Sequence, residues 1–397
     1  MTTDANWPLF TAPPPADPVR PFTVGDAPGC PRCGRVPLAG ERFCEQCGTP
    51  LPAHPGASAL DLDADPAPTL PDTLPSADAS PPNQPTGGTG GEPLEPVARP
   101  CVECGGIVDG DGYCQTCGTK AASPRDHFEQ APATWVGGVC DRGISHHRNE
   151  DALALWAAEE DEQRAVLVVC DGVSTSTDSD VASLAAAQRA VAVLQVNQPA
   201  GLGIAASQDA ALAAALTRAT AQANAAVIDN SVEGESPASC TFAAALVVAG
   251  RIHHASLGDS RVYWIGDTER RQLSQDDSLA QELMSQGVAR AEAESHPQAH
   301  AITKWLGRDA QGIEPSIGTW DVVEDGWLLV CSDGLWNYAS AAEDLGLQVD
   351  AACAESSEPV AVARRLVAWA NSQGGKDNIT VALARCRANL PSAQSIL

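Results

Sequence analysis

The chain has 397 residues, 44% of them hydrophobic, which is enough for one large core plus smaller modules. Its formal net charge is −27, and the stretch 135–397 alone sets 34 acidic against 17 basic residues. No segment is basic, which argues against a grip on the phosphate backbone of DNA or RNA, and the longest apolar runs (165–170 and 242–250) are too short to span a bilayer. The opening MTTDANWPLF has no basic stretch followed by an apolar one, so a cytoplasmic protein without membrane insertion is expected.

Residues 1–28 are rich in Pro and Ala and are expected to be disordered. A first cysteine module, CPRCG…FCEQCG, occupies 29–50 and places Cys30, Cys33, Cys44 and Cys47. Residues 51–99 are dense in Pro and Asp with few large apolar side chains, the composition of a disordered linker. A second module, CVECGG…YCQTCG, occupies 100–120 and repeats the pattern with Cys101, Cys104, Cys114 and Cys117. A connector (121–134), a large domain (135–386) and a loose tail (387–397) complete the chain.

Each Cys-x-x-Cys-Gly is a knuckle whose glycine permits the turn that aims two sulfurs at one ion. Two knuckles make a closed four-thiolate zinc site, so the repeat implies two structural zinc ions and two zinc ribbons. A module of about twenty residues has almost no core, and zinc must supply its folding energy. The redox reading of Cys-x-x-Cys needs a thioredoxin-like βαβ context, which is absent. A closed site has no free coordination position, so these ions are assigned no catalysis; partner docking and a solubilising spacer both fit. The remaining cysteines (Cys140, Cys170, Cys240, Cys331, Cys353 and Cys386) are scattered, several inside apolar runs, as buried small hydrophobes would be.

From residue 135 the sequence alternates groups of short β-type runs with Ala-rich helical blocks. Strands are predicted at 135–140, 152–156, 165–170, 239–248, 252–257, 262–265, 327–331 and 379–384. Helices are predicted at 180–195, 208–229, 278–286 and 359–372. Strict strand–helix alternation is missing, which points to an α+β domain of sheets covered by helices.

Acidic residues recur where the apolar strands stop. Asn149-Glu150-Asp151 precedes ALALW, Asp171-Gly172 ends AVLVVC, Asp259 follows ASLG, Asp333-Gly334 ends WLLVCS, and Asp377-Asn378 precedes ITVALA. One Asp-Gly at a strand end is ordinarily a turn. Several carboxylates gathered at one rim repel one another unless cations hold them, and oxygen donors select hard ions such as Mg²⁺ or Mn²⁺. Such ions would also answer the repulsion between this acidic chain and a phosphorylated substrate.

The ordered series DRGISHHRNEDA, VVCDG, SCTFAAALVV, SLGDSRVYW, LLVCSDGLW and GGKDNITVAL resembles the type 2C metal-dependent protein serine/threonine phosphatases over about residues 135–386. The resemblance implies a central antiparallel β-sandwich flanked by helices, with a two-metal centre at one end. It implies that Asp171 bridges two ions, that Asp333 and Asp377 complete the protein ligands of the first, and that Glu150 and the Gly172 carbonyl serve the second. Asp151 would orient water, Asp259 would help Asp333 hold a third ion, and Asn378 would fix Asp377. Water shared by two divalent cations loses a proton near neutral pH and can attack phosphorus in line. The implied partners are phosphoprotein substrates and a cognate Ser/Thr protein kinase, and a monomer is expected.

Two departures stand out. Many members carry a phosphate-gripping arginine four residues before the metal-site glutamate; here that position is His146, with Arg142 and Arg148 nearby. Val173 follows Gly172 where members often have further glycines or a histidine, so no leaving-group acid is evident. Residues 275–307 resemble the family's flap, and His296 and His300 within it are read as structural. The competing reading is a weakly active phosphatase fold that binds phosphoproteins, with the ribbons as docking modules.

Overall fold

The computed structural model describes residues 100–388 apart from 102–103, 110–112, 119–120, 122, 159–163, 197–203, 233 and 235. The chain divides into the units Met1–Ala57 and Ser58–Leu397, and every described residue belongs to the second. The first cysteine module, the stretch before it, the linker through residue 99 and the tail from 389 lie outside the described residues.

Strand β4 (Arg164–Cys170) shows why the large domain is layered. Every residue from Ala165 to Cys170 is buried, and the side chains alternate between two hydrophobic clusters. Val166, Val168 and Cys170 join a helix-covered core, whereas Ala165, Leu167 and Val169 join a second core against another sheet. A period of two with both faces apolar is the pattern of a strand sandwiched on both sides.

Two antiparallel sheets form that sandwich. In chain order the strands are β1 (His127–Ala133), β2 (Val136–Asp141), β3 (Ala152–Ala157), β4, β5 (Ser239–Cys240), β6 (Phe242–Val248), β7 (Arg251–Leu257), β8 (Arg261–Gly266), β9 (Arg270–Gln272), β10 (Leu306–Gly307), β11 (Ser316–Asp321), β12 (Gly326–Cys331) and β13 (Ile379–Cys386). One sheet runs β1-β2-β13-β12-β8-β9, the other β11-β7-β6-β4-β3, and β10 pairs with β5. Between the sheets lie Leu153, Leu167, Val169, Trp264, Leu328, Val330 and Ala382.

Helices α1 (Ser179–Leu194) and α2 (Ala205–Asp229) cover the five-stranded sheet through Ala-rich faces. Helices α3 (Leu279–Ser285) and α4 (Arg290–Glu294) build a small separate core around Ala280, Ala293 and Ala299. Helices α5 (Asp333–Trp336), α6 (Ala342–Cys353) and α7 (Pro359–Ser372) cover the six-stranded sheet. The expected sandwich flanked by helices is therefore present. The connector expected at 121–134 contains β1, which pairs antiparallel with β2 as an edge strand.

The second cysteine module closes through isolated bridges Pro100↔Ile107 and Val108↔Cys114. Gly105 and Gly118, each directly after the second cysteine of a pair, both have φ of 72°, a conformation that favours glycine. Their N–H groups donate to the carbonyls of Cys101 and Cys114, both at 2.8 Å.

Candidate metal centre

Antiparallel registers bring the acidic strand ends to one rim. Ala152 pairs with Cys170, so Glu150 and Asp151 before β3 meet Asp171 after β4. Cys331 pairs with both Arg261 and Val381, so Asp333 after β12 meets Asp259 before β8 and Asp377 before β13. Hydrogen bonds fix the backbone there. Thr241 N–H donates to the Asp171 carbonyl at 2.8 Å, its hydroxyl accepts from Asp171 N–H at 3.0 Å, and the Trp336 indole donates to the Asp259 carbonyl at 2.9 Å. Gly334 is required by space: a Cβ there would lie 1.9 Å from the Asn378 carbonyl oxygen.

The carboxylates fall into two electrostatic classes. Glu150, 3% exposed, has cationic and hydroxyl partners: Arg148 at 2.6 Å and Ser179 Oγ at 2.6 Å both donate to Oε1. Burial alone would raise its pKa, but the nearby His146 ring and hydrogen bonds from Ser179 and Arg148 overcome that and hold it at about 2. Asp171 and Asp333 stand well above the ordinary carboxylate range, first because they are desolvated and then because neighbouring carboxylates repel their charge. For Asp171 those neighbours are Asp151, Asp333, Asp377 and Asp259. Burial also raises Asp259 to about 7, with Asp276 adding to it. Asp151, fully buried, is pushed up to about 6 by desolvation, although Ser332 and Thr380 hydroxyls donate to its Oδ2 at 2.7 Å each.

Two further observations fit a cation. Asp151 Oδ1 and Asp333 Oδ1 are buried with no protein donor. Ligand atoms of Asp259, Asp333 and His300 lie within 4.8 Å of one another, and the other acids of the rim add carboxylate oxygens, donors suited to hard divalent ions.

The structure refines several expectations. Asn378 holds Asp377 through its backbone N–H, which donates to Asp377 Oδ1 at 2.8 Å. Its side chain serves a different loop: Oδ1 accepts from Glu150 N–H at 2.8 Å, and Nδ2 donates to the carbonyls of Arg142 and Arg148 at 2.8 and 3.1 Å. Arg148 is occupied by Glu150, Ser179 and the Ser176 carbonyl. His146 lies between two acids, Nε2 at 3.3 Å from Asp377 and Nδ1 at 3.8 Å from Glu150. Burial would lower its pKa, but these carboxylates outweigh burial and raise it above the ordinary imidazole value. His300, read as structural, packs against Trp336 with the ring planes tilted by 34° and also offers a ring nitrogen within 4.8 Å of carboxylate oxygens of Asp259 and Asp333. Ser179, Ser332 and Thr380 were not singled out, since one hydroxyl in a polar stretch carries no pattern.

In the cysteine module, ligand atoms of Cys101, Cys104, Cys114 and Cys117 all lie within 4.8 Å of one another. Sulfur–sulfur separations of 3.3, 3.4 and 3.6 Å approach the edge of about 3.8 Å that a tetrahedron with zinc–sulfur bonds of about 2.3 Å requires.

The sequence model of the protein phosphatase 2C family matches residues 142–371. Protein phosphatase PhpP of Streptococcus pneumoniae is 38% identical over 139 residues, covering 34% of this chain and 54% of that protein. Serine/threonine protein phosphatase PstP of Mycobacterium tuberculosis is 31% identical over 245 residues, covering 62% of this chain and 43% of that protein. The chain thus spans about half the length of these two relatives. Serine/threonine phosphatase stp of Listeria innocua is 27% identical, with 92% of its length covered. The solved structure of serine/threonine phosphatase Stp1 from Staphylococcus aureus superposes with a TM-score of 0.54 at 24% identity, covering 64% of this chain and 95% of that one, which speaks for the fold. The family match spans more than half of the sequence, and the chain belongs to the protein phosphatase 2C family.

Proposed function

We propose that the protein hydrolyses phosphoserine and phosphothreonine in proteins, using Mn²⁺ or Mg²⁺ held by the carboxylate rim. The observation that carries this reading is the buried Asp171 at the end of β4, brought by the strand registers to the rim where the carboxylates of Asp151, Asp259, Asp333 and Asp377 repel its charge. Such a cluster is costly in a metal-free protein and favourable around divalent ions. Asp171 would serve two ions, Asp333 and Asp377 one of them, Glu150 and the Gly172 carbonyl the other, and Asp259 with Asp333 a third. When bound, the ions would acidify water and neutralise phosphoryl oxygens.

The remaining residues act on position and charge. Arg148 and Ser179 fix the rotamer of Glu150. Asp151 is locked by Ser332 and Thr380, and its position deep in the rim suits it to orient water. His146 stands where many relatives have arginine, with its ring nitrogens facing Glu150 and Asp377, which raise its pKa above the ordinary imidazole value. Cys101, Cys104, Cys114 and Cys117 hold one structural zinc ion, and the repeat at Cys30, Cys33, Cys44 and Cys47 holds a second. Substrates would be supplied by a Ser/Thr protein kinase. Among the described residues no helix is long and apolar enough to cross a membrane.

The test is hydrolysis of a phosphothreonine peptide by full-length protein with Mn²⁺, Mg²⁺ or chelator, with Asp171→Ala as control. Activity should need the added ion and fall at least 100-fold in the variant. Turnover that survives chelation, or an Asp171→Ala enzyme as active as the parent, would overturn the reading.

A further inference from the structure

The loop Asn149–Asp151 carries two of the rim acids, and all three of its carbonyls are engaged by side chains. The Glu150 carbonyl accepts from Ser183 Oγ at 2.6 Å. The other two are taken by a residue from outside the family match. Arg125 Nη2 donates to the Asp151 carbonyl at 2.9 Å, with the Asn149 carbonyl at 3.4 Å as the longer arm of a shared N–H. The same nitrogen donates to the Asp180 carbonyl in the first turn of α1 at 2.9 Å, so one guanidinium ties the loop to that helix. The attachment is reciprocal, because Asn149 Nδ2 donates to the Arg125 carbonyl at 2.8 Å. Arg125 is itself set by a tight turn: its N–H donates to Ser123 Oγ at 3.1 Å, and Asp126 N–H donates to the Ser123 carbonyl at 2.9 Å.

We infer that Arg125 is a positioning residue for the metal centre: it fixes the backbone on either side of Glu150, and so the place of the Glu150 and Asp151 carboxylates. The inference rests on the proposed metal role of those acids. Carbonyls in a loop without regular structure need donors, and a fixed cationic donor with several N–H groups holds such a loop more rigidly than water does. Losing a group that orients metal ligands from behind costs roughly 10–100-fold in metal affinity. Arg125 follows Cys117 by eight residues, so the segment leaving the cysteine module supplies part of the support of the metal site.

The experiment uses full-length protein and measures Mn²⁺ affinity through the electron paramagnetic resonance signal of free Mn²⁺, alongside thermal unfolding. Arg125→Ala should raise the Mn²⁺ dissociation constant roughly 10-fold, and Arg125→Lys should recover part of the loss. Arg164→Ala is the structural control: Arg164 likewise donates to backbone carbonyls, those of Leu194 and Val196, but at the far end of α1. It should lower the melting temperature and leave Mn²⁺ affinity unchanged. Equal affinity in Arg125→Ala and wild type, or an equal loss in Arg164→Ala, would overturn the inference. If Arg125→Ala does not fold, Arg125→Lys decides: wild-type affinity overturns it and weakened affinity supports it. Wild-type protein that binds no Mn²⁺ would instead sink the proposed function.

Discussion

Replacing Asp259 by asparagine removes one negative charge from the rim while nearly conserving shape. Carboxylate oxygens of Asp259 and Asp333 lie within 4.8 Å. At an effective dielectric constant of about 20, two full charges at that separation repel by roughly 3.5 kcal/mol. The metal-free protein avoids part of that cost by protonation, since burial and neighbouring charge raise Asp259 to about 7 and Asp333 well above its usual value. The net gain at pH 7.5 is therefore about 1–2 kcal/mol, or roughly 3–6 °C in melting temperature for a domain of this size. The sign follows from linkage. A carboxyl whose folded pKa is raised contributes fully below its unfolded pKa, and the contribution is lost as pH rises through the folded value. For Asp259 the window runs from about 4 to about 7. Chelated wild-type protein should lose stability across that window, and Asp259→Asn should lose less of it. Saturating Mn²⁺ should reverse the order, because a ligand at 100 times its dissociation constant adds about 2.7 kcal/mol to the form that binds it better. The assay is calorimetric or fluorescence melting at pH 4.5, 6 and 7.5 with chelator and with Mn²⁺. A chelated Asp259→Asn protein that melts at or below wild type at pH 7.5 would refute the idea that the rim stores repulsion.

Asn378→Ala should destabilise the domain by about 3 kcal/mol in urea titrations, because it strips Glu150 N–H and two carbonyls of a buried partner, and Mn²⁺ affinity should fall with it. Cys104→Ser combined with Cys117→Ser should reduce bound zinc from about two equivalents per chain to about one, read by a colorimetric chelator after denaturation, while the activity of the large domain persists.

The sandwich was legible because its strands are buried on both faces. Runs such as AVLVVC and FAAALVV leave little doubt about burial, and predicted boundaries for β3, β4, β7 and β12 lie within a residue of the observed ones. Edge elements were not legible. β1 reads HFEQAPA with alternating exposure, and the Pro132 inside it argued for a connector. β11, SIGTWD, is another edge strand with every second residue exposed. The helix Ala342–Cys353 was missed because its apolar face is interrupted by Gly346, where Arg270 packs closely. At the site, the acids at strand ends were visible because they punctuate apolar runs. Their hydroxyl and guanidinium supports were invisible: Arg125 lies 25 residues before Glu150, and Thr380 lies 229 residues after Asp151. Only folding shows which of many Ser, Thr and Arg residues face the rim.

The two electrostatic classes of carboxylate suggest how such a centre stays both foldable and receptive. Glu150 is ionised in advance by Arg148, Ser179 and His146, so one wall of the site is fixed without a metal. Around Asp171 and Asp333 carboxylates dominate the charges, and Asp333 keeps a buried oxygen without a protein donor. A lysine at the centre would relieve the repulsion permanently and compete with the ions for the same oxygens. Hydroxyls on Ser332 and Thr380 solve the problem differently, since they satisfy one oxygen of Asp151, Oδ2, without neutralising the carboxylate. The unrelieved charge at Asp171 and Asp333 is thus the part of the affinity for divalent ions that the fold holds in reserve, and the melting order of Asp259→Asn with and without Mn²⁺ measures it directly.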